Sequence, residues 1–137
     1  MTDLQDQHDI AAVLIRYATG IDRRDWELFA TVFAEQCDLD YGEIGRWTTA
    51  AEVTEFMRLS HQAAGHTLHR ISNIAVDVDG DRAVSRCYVD ALVFAADNQT
   101  GAHAVGFYDD DLMRTAAGWR IAKRRFTAVR VDMVGGA

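Results

Sequence analysis

The sequence predicts an α+β fold in which three N-terminal helices are followed by a curved, mostly antiparallel sheet that wraps around them as a cone-shaped barrel. Apolar residues recur at helical spacing over much of residues 9–64, and four long runs rich in Val, Ile, Phe and Tyr follow. The chain of 137 residues has no proline, although average usage would give about seven. A long hydrogen-bonded sheet has few places for proline, so its absence agrees with this fold.

The first two helices are predicted to form a hairpin. Residues 9–19 carry apolar side chains at i, i+3, i+4 and i+7, and Gly20 is expected to end this helix. Asp22 stands where the N-cap of the second helix is expected. The apolar face of that helix is predicted to run from Trp26 to Phe33.

A small hairpin and a third helix follow. From Cys37 the apolar residues alternate, which predicts a strand that turns near Gly42 and returns. The third helix is predicted to open at 48–50 and to continue to about Ala64, where Gly65 ends it.

The second half of the chain is predicted to be a meander of long antiparallel strands. The four runs cover about 66–78, 82–96, 101–115 and 118–131, and the segments between them are rich in Gly, Asp and Asn. A curved sheet of five or six strands against three helices encloses a pocket, and such concave, apolar places are where ligands bind. We expect residues 1–137 to form a single domain.

Charge and composition exclude several classes of function. With 21 acidic and 14 basic residues the net charge is −7, and no Lys/Arg run is long enough to bind nucleic acid or an anionic membrane. The chain lacks a stretch of about 18 apolar residues and a signal-peptide pattern, so we expect a cytoplasmic protein. Cys37 and Cys87 are interpreted as buried thiols.

Catalytic motifs that can be recognised by spacing alone are absent. The sequence has no GxGxxG, GxxxxGK[ST], HExxH or GxSxG pattern. His66 and His69 are three residues apart in a predicted strand, so they point to opposite faces and cannot bind one metal ion together. We expect no metal and no cofactor.

Three residues are candidates for chemistry, each with an ordinary alternative. His69 shares a strand face with Asn73, and an imidazole there with a carboxylate partner fits a general base, although a hydrogen-bonded core histidine fits too. Asp22 has the alternative role of helix cap, and Tyr17 that of a core tyrosine.

Alternation in the last predicted strand gives opposite faces to its two arginines. Parity with Trp119 and Ile121 places Arg125 on their face and Arg124 on the other. Which arginine faces the pocket stays open.

Four segments, in order, resemble the SnoaL-like branch of the nuclear transport factor 2-like superfamily: residues 17–34, 66–73, 79–83 and 118–125. The resemblance covers nearly the whole chain and implies the cone-shaped fold. It also implies a homo-oligomer, dimer or trimer, that associates through the open face of the sheet.

The sequence is similar to members of that branch such as scytalone dehydratase, bile-acid 7α-dehydratase and hexachlorocyclohexane dehydrochlorinase. This likeness implies a cofactor-independent lyase or isomerase that acts on a hydrophobic, cyclic small molecule. It implies that Asp22 orients His69, which takes a proton, and that Tyr17 or Arg124 holds the leaving group or a developing enolate oxygen. In scytalone dehydratase a second pocket histidine lies on the strand after the one that carries the histidine of the Asp–His pair. This chain has Tyr88 and Asp90 in that region and no histidine.

The expected pocket wall is mostly aromatic and apolar. Its candidates are Tyr41, Trp47, Phe56, Met57, Asn73, Tyr88, Asp90, Leu92, Phe94 and Phe107. Three alternatives stay open: a polyketide cyclase-like enzyme, a non-catalytic module that binds a small ligand, and a module that docks onto an enzyme subunit. Elimination, isomerisation and cyclisation are not distinguished.

Overall fold

The computed structural model describes residues 3–136. In chain order its elements are α1 (Asp3–Asp22), α2 (Trp26–Ala30), β1 (Phe33–Asp40), a 3₁₀ turn (Gly42–Ile44), β2 (Arg46–Thr49), α3 (Ala50–Ser60), β3 (Ala64–Asp79), β4 (Arg82–Ala95), β5 (Gly101–Thr115) and β6 (Gly118–Val134). The predicted α+β class is confirmed.

The six strands form one sheet in the order β2-β1-β6-β5-β4-β3. Strands β3 to β6 are the predicted antiparallel meander, and β1 joins it parallel to β6. β2 and β3 are the two edges, so the cone is open and the sheet is not closed into a barrel. α1 packs mainly against β3, and α3 packs against β1 and β2.

The end of α1 differs from the prediction. The helix continues through Gly20 to Asp22, and Gly20 serves close packing: a Cβ at this position would lie 2.9 Å from the Cα of Phe29 in α2. Asp22 is therefore the last residue of α1 and not a helix cap. Asp25 caps α2 instead, because its side chain accepts a hydrogen bond of 3.0 Å from the backbone N–H of Leu28.

Two other helix boundaries were predicted too late. α2 ends at Ala30, and Phe33 already begins β1. α3 starts as predicted, with the Thr49 side chain accepting a hydrogen bond from the backbone N–H of Glu52, but it ends at Ser60. Gly65 lies in β3, where a Cβ would collide with neighbouring backbone and side-chain oxygens.

A β-bulge in β6 decides which arginine is buried. Asp111 pairs with Lys123 and Leu112 pairs with Ile121, so one extra residue, Ala122, lies in β6. An extra residue reverses the alternation of faces. Arg124 therefore joins Ile121 on the buried side with 1% exposure, and Arg125 points to solvent, contrary to the parity prediction.

The core lies between the helices and one face of the sheet, and it includes Tyr17, Phe29, Phe33, Leu39 and Ile121. Cys87 is buried as predicted, whereas Cys37 is only partly buried. None of the helices within residues 3–136 is long and apolar enough to cross a membrane.

Candidate active site

A cavity of about 310 Å³ opens between the helices and the sheet. Its wall is mostly apolar and consists of Tyr17, Ile21, Tyr41, Ile44, Phe56, Met57, Ser60, His61, His69, Val89, Ala91, Val93, Ala104, Tyr108 and Phe126. The volume is at the lower end of the range of ligand pockets, about 300–1,000 Å³. The cavity is therefore large enough for a small organic molecule.

His69 lines this cavity and is hydrogen-bonded to Asp22, which does not reach the cavity wall itself. Asp22 lies at the end of α1 and His69 in β3, the strand against which α1 packs. Asp22 Oδ1 lies 2.8 Å from His69 Nδ1, and Asp22 Oδ2 accepts a 2.8 Å hydrogen bond from the backbone N–H of His69. The His69 side chain is 10% exposed and that of Asp22 is 18% exposed, so the pair is shielded but not sealed from water.

The Asp22 carboxylate is held in its ionised form. Burial raises the pKa of Asp22, but hydrogen bonds from the side chain and backbone of His69 and from Thr67 outweigh burial, so that the pKa lies below its usual range. An ionised carboxylate can only accept hydrogen bonds, so the proton of the neutral His69 ring is on Nδ1. Its Nε2 then carries the lone pair that a general base requires.

Two residues that the sequence did not single out hold this pair. The Thr67 hydroxyl donates to Asp22 Oδ1 over 3.0 Å and accepts from Arg24 over 2.8 Å. Arg24 also donates to the carbonyl oxygen of Gly65 and has a left-handed backbone conformation, with φ of 57°. The end of α1 and the turn after it are thereby tied to β3 at Asp22 and at Arg24.

A second polar cluster lies behind the tyrosines of the cavity. Arg124 Nε and Nη2 donate to the two carboxylate oxygens of Asp110 over 2.7 and 2.9 Å, and both side chains are almost fully buried. The third nitrogen, Nη1, donates to the Tyr41 hydroxyl over 3.3 Å, and Tyr41 donates to the Tyr17 hydroxyl over 2.9 Å. The guanidinium also stacks on the ring of Tyr108, 3.8 Å from its centroid.

The tyrosine hydroxyls of this cluster are protonated. Burial raises the pKa values of Tyr17 and Tyr41 well above the usual value, although Arg124 acts in the opposite direction. Both hydroxyls thus keep their protons near neutral pH. Arg124 does not line the cavity wall itself, but it contacts the three tyrosines that do.

Several of the predicted pocket residues lie at the cavity. Tyr41, Phe56 and Met57 line it, as do the candidates Tyr17 and His69. Trp47 packs one layer behind, with ring centroids 5.4 Å from Tyr41 and 4.6 Å from Phe56.

The predicted pocket residues of β4 and β5 were assigned to the wrong face. Tyr88, Asp90, Leu92, Phe94 and Phe107 lie on the face of the sheet away from the cavity. Tyr88 is 49% exposed, and the adjacent Asp90 and His103 form a 2.6 Å hydrogen bond on that outer face. The β4 residues at the cavity are the alternate ones: Val89, Ala91 and Val93.

Asn73 does not line the pocket either. Its side chain is exposed and its backbone φ is 50°. It lies in a β-bulge, because Ser72 pairs with Tyr88 and Ala75 pairs with Arg86, so that β3 has one residue more than β4 between these pairs. The bulge ends the alternation that relates Asn73 to His69.

The sequence also gave no indication of His61, which lines the cavity from the end of α3.

Within residues 3–136, no group of three or more His, Cys, Asp or Glu side chains is arranged to hold a metal ion.

Three helices against an open, mixed six-stranded sheet, with a ligand-sized cavity between them, define the nuclear transport factor 2-like class of α+β proteins. Within this class, residues 2–125 match the model of the SnoaL-like domain family, so the chain belongs to that family.

Known proteins resemble this chain in sequence and structure. An uncharacterised protein of Mycobacterium tuberculosis is 32% identical over 129 residues, which cover 90% of this chain and 86% of the relative. A Novosphingobium aromaticivorans protein described as a candidate scytalone dehydratase superimposes with a TM-score of 0.87 at 21% identity, covering 95% of this chain and 88% of that one. A type 2 hexachlorocyclohexane dehydrochlorinase superimposes with a TM-score of 0.87 at 15% identity, covering 98% and 92%. At these identities the two structures show the shared fold.

Proposed function

We propose that this protein is a cofactor-independent lyase or isomerase that removes a proton from a hydrophobic, cyclic small molecule. The observation that carries the proposal is the 2.8 Å hydrogen bond between Asp22 and His69, whose ring lines an apolar cavity. Two structural neighbours bear the names of a dehydratase and a dehydrochlorinase, and both names describe eliminations. Elimination is therefore the reaction that we favour.

His69 is the general base in this proposal. Its Nε2 accepts a proton from the carbon next to a substrate carbonyl, and the electrons of the broken C–H bond move to the carbonyl oxygen. Asp22 holds the ring in the productive tautomer and stabilises the imidazolium that forms. Its hydrogen bonds to the side chain and backbone of the same residue fix the ring before substrate binds.

The tyrosine pair stabilises the negative charge that develops. Tyr41 accepts from Arg124 and donates to Tyr17, and the Tyr17 hydroxyl is also hydrogen-bonded to Tyr108. In this proposal the Tyr17 proton turns from Tyr108 to a substrate oxygen when substrate binds. A donor placed in advance in an apolar cavity stabilises an enolate more than water does. The buried Arg124 strengthens this donor by polarising Tyr41.

The second half of the reaction expels a leaving group from the β carbon. The enolate electrons form the new C=C bond, the C–O bond breaks, and the imidazolium of His69 returns its proton to the departing hydroxyl. The products are a conjugated enone and water. Return of the proton to a different carbon, without a leaving group, gives the isomerase form of the same chemistry.

A panel of one- and two-ring β-hydroxy ketones tests the proposal, with enone formation followed by ultraviolet absorbance. His69→Ala is expected to reduce kcat by at least about 10²-fold while 2-naphthol, a non-reacting ligand, still binds. His66→Ala is the matched control, because this histidine is exposed in the same strand. Unchanged turnover in His69→Ala removes His69 from its role. Binding of 2-naphthol without turnover of any panel member favours the non-catalytic binding module.

A further inference from the structure

His61 brings a second imidazole to the cavity from the C-terminal end of α3. Its ring Nδ1 lies 2.7 Å from the carbonyl oxygen of Met57 and 3.1 Å from the hydroxyl of Ser60. The tilted ring of Trp26, with its centroid 5.8 Å away, packs against it. These contacts come from α3 itself and from α2, so they hold the ring in place without a ligand.

The contact with Met57 decides which ring nitrogen can accept a hydrogen bond. A backbone carbonyl only accepts, so the proton of the neutral ring is on Nδ1. Nε2 is then an acceptor. Burial, with Arg24 and His69 nearby, lowers the pKa of His61; the Met57 carbonyl and Asp22 act in the opposite direction without reversing the shift. The ring is therefore neutral near pH 7.

The remaining polar groups of the cavity wall have other roles. The Ser60 hydroxyl donates to the Met57 carbonyl oxygen. The Tyr17 and Tyr41 hydroxyls belong to the chain that starts at Arg124, and the Tyr108 hydroxyl is hydrogen-bonded to Tyr17. The Nε2 of His69 is the proposed base. A substrate hydroxyl that enters the cavity thus finds its matching neutral ring acceptor at His61.

We propose that His61 Nε2 accepts a hydrogen bond from a hydroxyl group of the substrate and so determines specificity for hydroxylated ring compounds. This assignment rests on the proposed function, because it names the substrate class of the same cavity. His61 is a binding group here and takes no proton in the reaction. A ligand that lacks the hydroxyl leaves this ring nitrogen without a hydrogen-bond partner in the complex. Such a ligand therefore binds more weakly than one that has the hydroxyl.

The test uses two non-reacting probes, 2-naphthol and 2-methoxynaphthalene, which share a ring system and differ in the O–H donor. Calorimetry on the wild type is expected to give a preference of about five- to tenfold for 2-naphthol, the value of one neutral hydrogen bond. His61→Phe keeps an aromatic ring beside Trp26 but has no acceptor, and it is expected to abolish the preference. His61→Gln, whose amide oxygen can accept, is expected to restore part of it.

His69→Ala separates this assignment from the proposed reaction. If His61 binds the hydroxyl, His69→Ala loses turnover and keeps the preference for 2-naphthol. If the preference is absent in the wild type, or disappears in His69→Ala and persists in His61→Phe, the assignment is wrong. If His61→Phe does not fold, the assignment is tested on the wild type by the ¹⁵N chemical shift of His61 Nε2 in a two-bond ¹H–¹⁵N correlation spectrum. Nε2 of His61 must shift with 2-naphthol and not with 2-methoxynaphthalene, and equal shifts overturn the proposal.

Discussion

Asp22 accepts two hydrogen bonds from the single residue His69, one from its backbone N–H and one from its ring Nδ1, each 2.8 Å long. The first bond fixes the carboxylate on the backbone of β3, and the second fixes the ring on the carboxylate. The position of the imidazole is thus set by backbone geometry. The ring is therefore held in one orientation before any ligand binds. In the proposed reaction this order reduces the free energy needed to reach the transition state.

Asp22→Asn tests this arrangement in catalysis. An amide has one accepting oxygen, so it cannot accept from both the backbone N–H and the ring of His69. With its NH₂ group facing Nδ1, the amide favours the ring tautomer whose Nε2 is protonated and cannot act as a base. We expect kcat on the β-hydroxy ketone panel to fall by at least about 10²-fold.

Asp25→Asn is the matched control for this substitution. Asp25 is exposed and caps α2, and Asn is an equally good cap. Its kcat is expected to match the wild type. A kcat in Asp22→Asn within twofold of the wild type contradicts the assigned role of Asp22.

The same carboxylate predicts a loss of stability in acid. The pKa of Asp22 is lower in the folded than in the unfolded chain, so the unfolded state binds more protons as the pH falls. The stability that ionised Asp22 contributes is therefore present above about pH 4 and is lost as the pH falls through the folded pKa.

Urea unfolding of the wild type and Asp22→Asn between pH 3 and pH 7 measures this effect. The wild type is expected to have the larger free energy of unfolding at pH 7, by about 1.5–3 kcal/mol for hydrogen bonds to a charged group. The difference is expected to shrink below about pH 4. Asp6, whose pKa is lowered mainly by a hydrogen bond from Arg114, titrates in both proteins and does not change the comparison. A difference that stays constant down to pH 3 contradicts the prediction.

Gly20 is predicted to be intolerant of a side chain. Alanine at this position gains about 1 kcal/mol in helix propensity, but its Cβ would lie 2.9 Å from the Cα and Cβ of Phe29. Overpacking against backbone costs about 1–3 kcal/mol. We expect Gly20→Ala to lower the free energy of unfolding in urea, whereas Thr19→Ala, one residue earlier in α1, is expected to change it little. A more stable Gly20→Ala shows that α2 can move away from α1.

The sequence was sufficient for the order of elements and for the strand meander, because helical spacing and Gly/Asp/Asn turns are local signals. It was insufficient where a single residue changes the register. The bulges at Asn73 and Ala122 reverse the alternation of faces, and nothing in the composition of either strand marks them. This is why the side assigned to Arg124 depended on the structure.

The face of β4, in contrast, could have been predicted. Arg86 and Asp90 share their face with Tyr88, and two charged residues indicate the solvent side. The small residues Val89 and Ala91 lie on the other face, where they leave room for the cavity. Choosing aromatic residues as pocket walls gave the wrong face, because a cavity needs small side chains as well as large ones.

Removing one partner of the buried ion pair of Arg124 and Asp110 is predicted to lower the free energy of unfolding strongly, whereas replacing both partners by apolar residues is predicted to lower it little. Both side chains are at most 1% exposed and joined by two hydrogen bonds. Arg124→Leu leaves the Asp110 carboxylate buried without its partner, which costs about 3–5 kcal/mol. The double variant Arg124→Leu with Asp110→Leu removes both charges and is expected to recover most of that loss, as measured by urea unfolding. If the double variant is as unstable as Arg124→Leu alone, the stabilising contacts of Arg124 are its stacking on Tyr108 and its hydrogen bond to Tyr41, and not its pairing with Asp110.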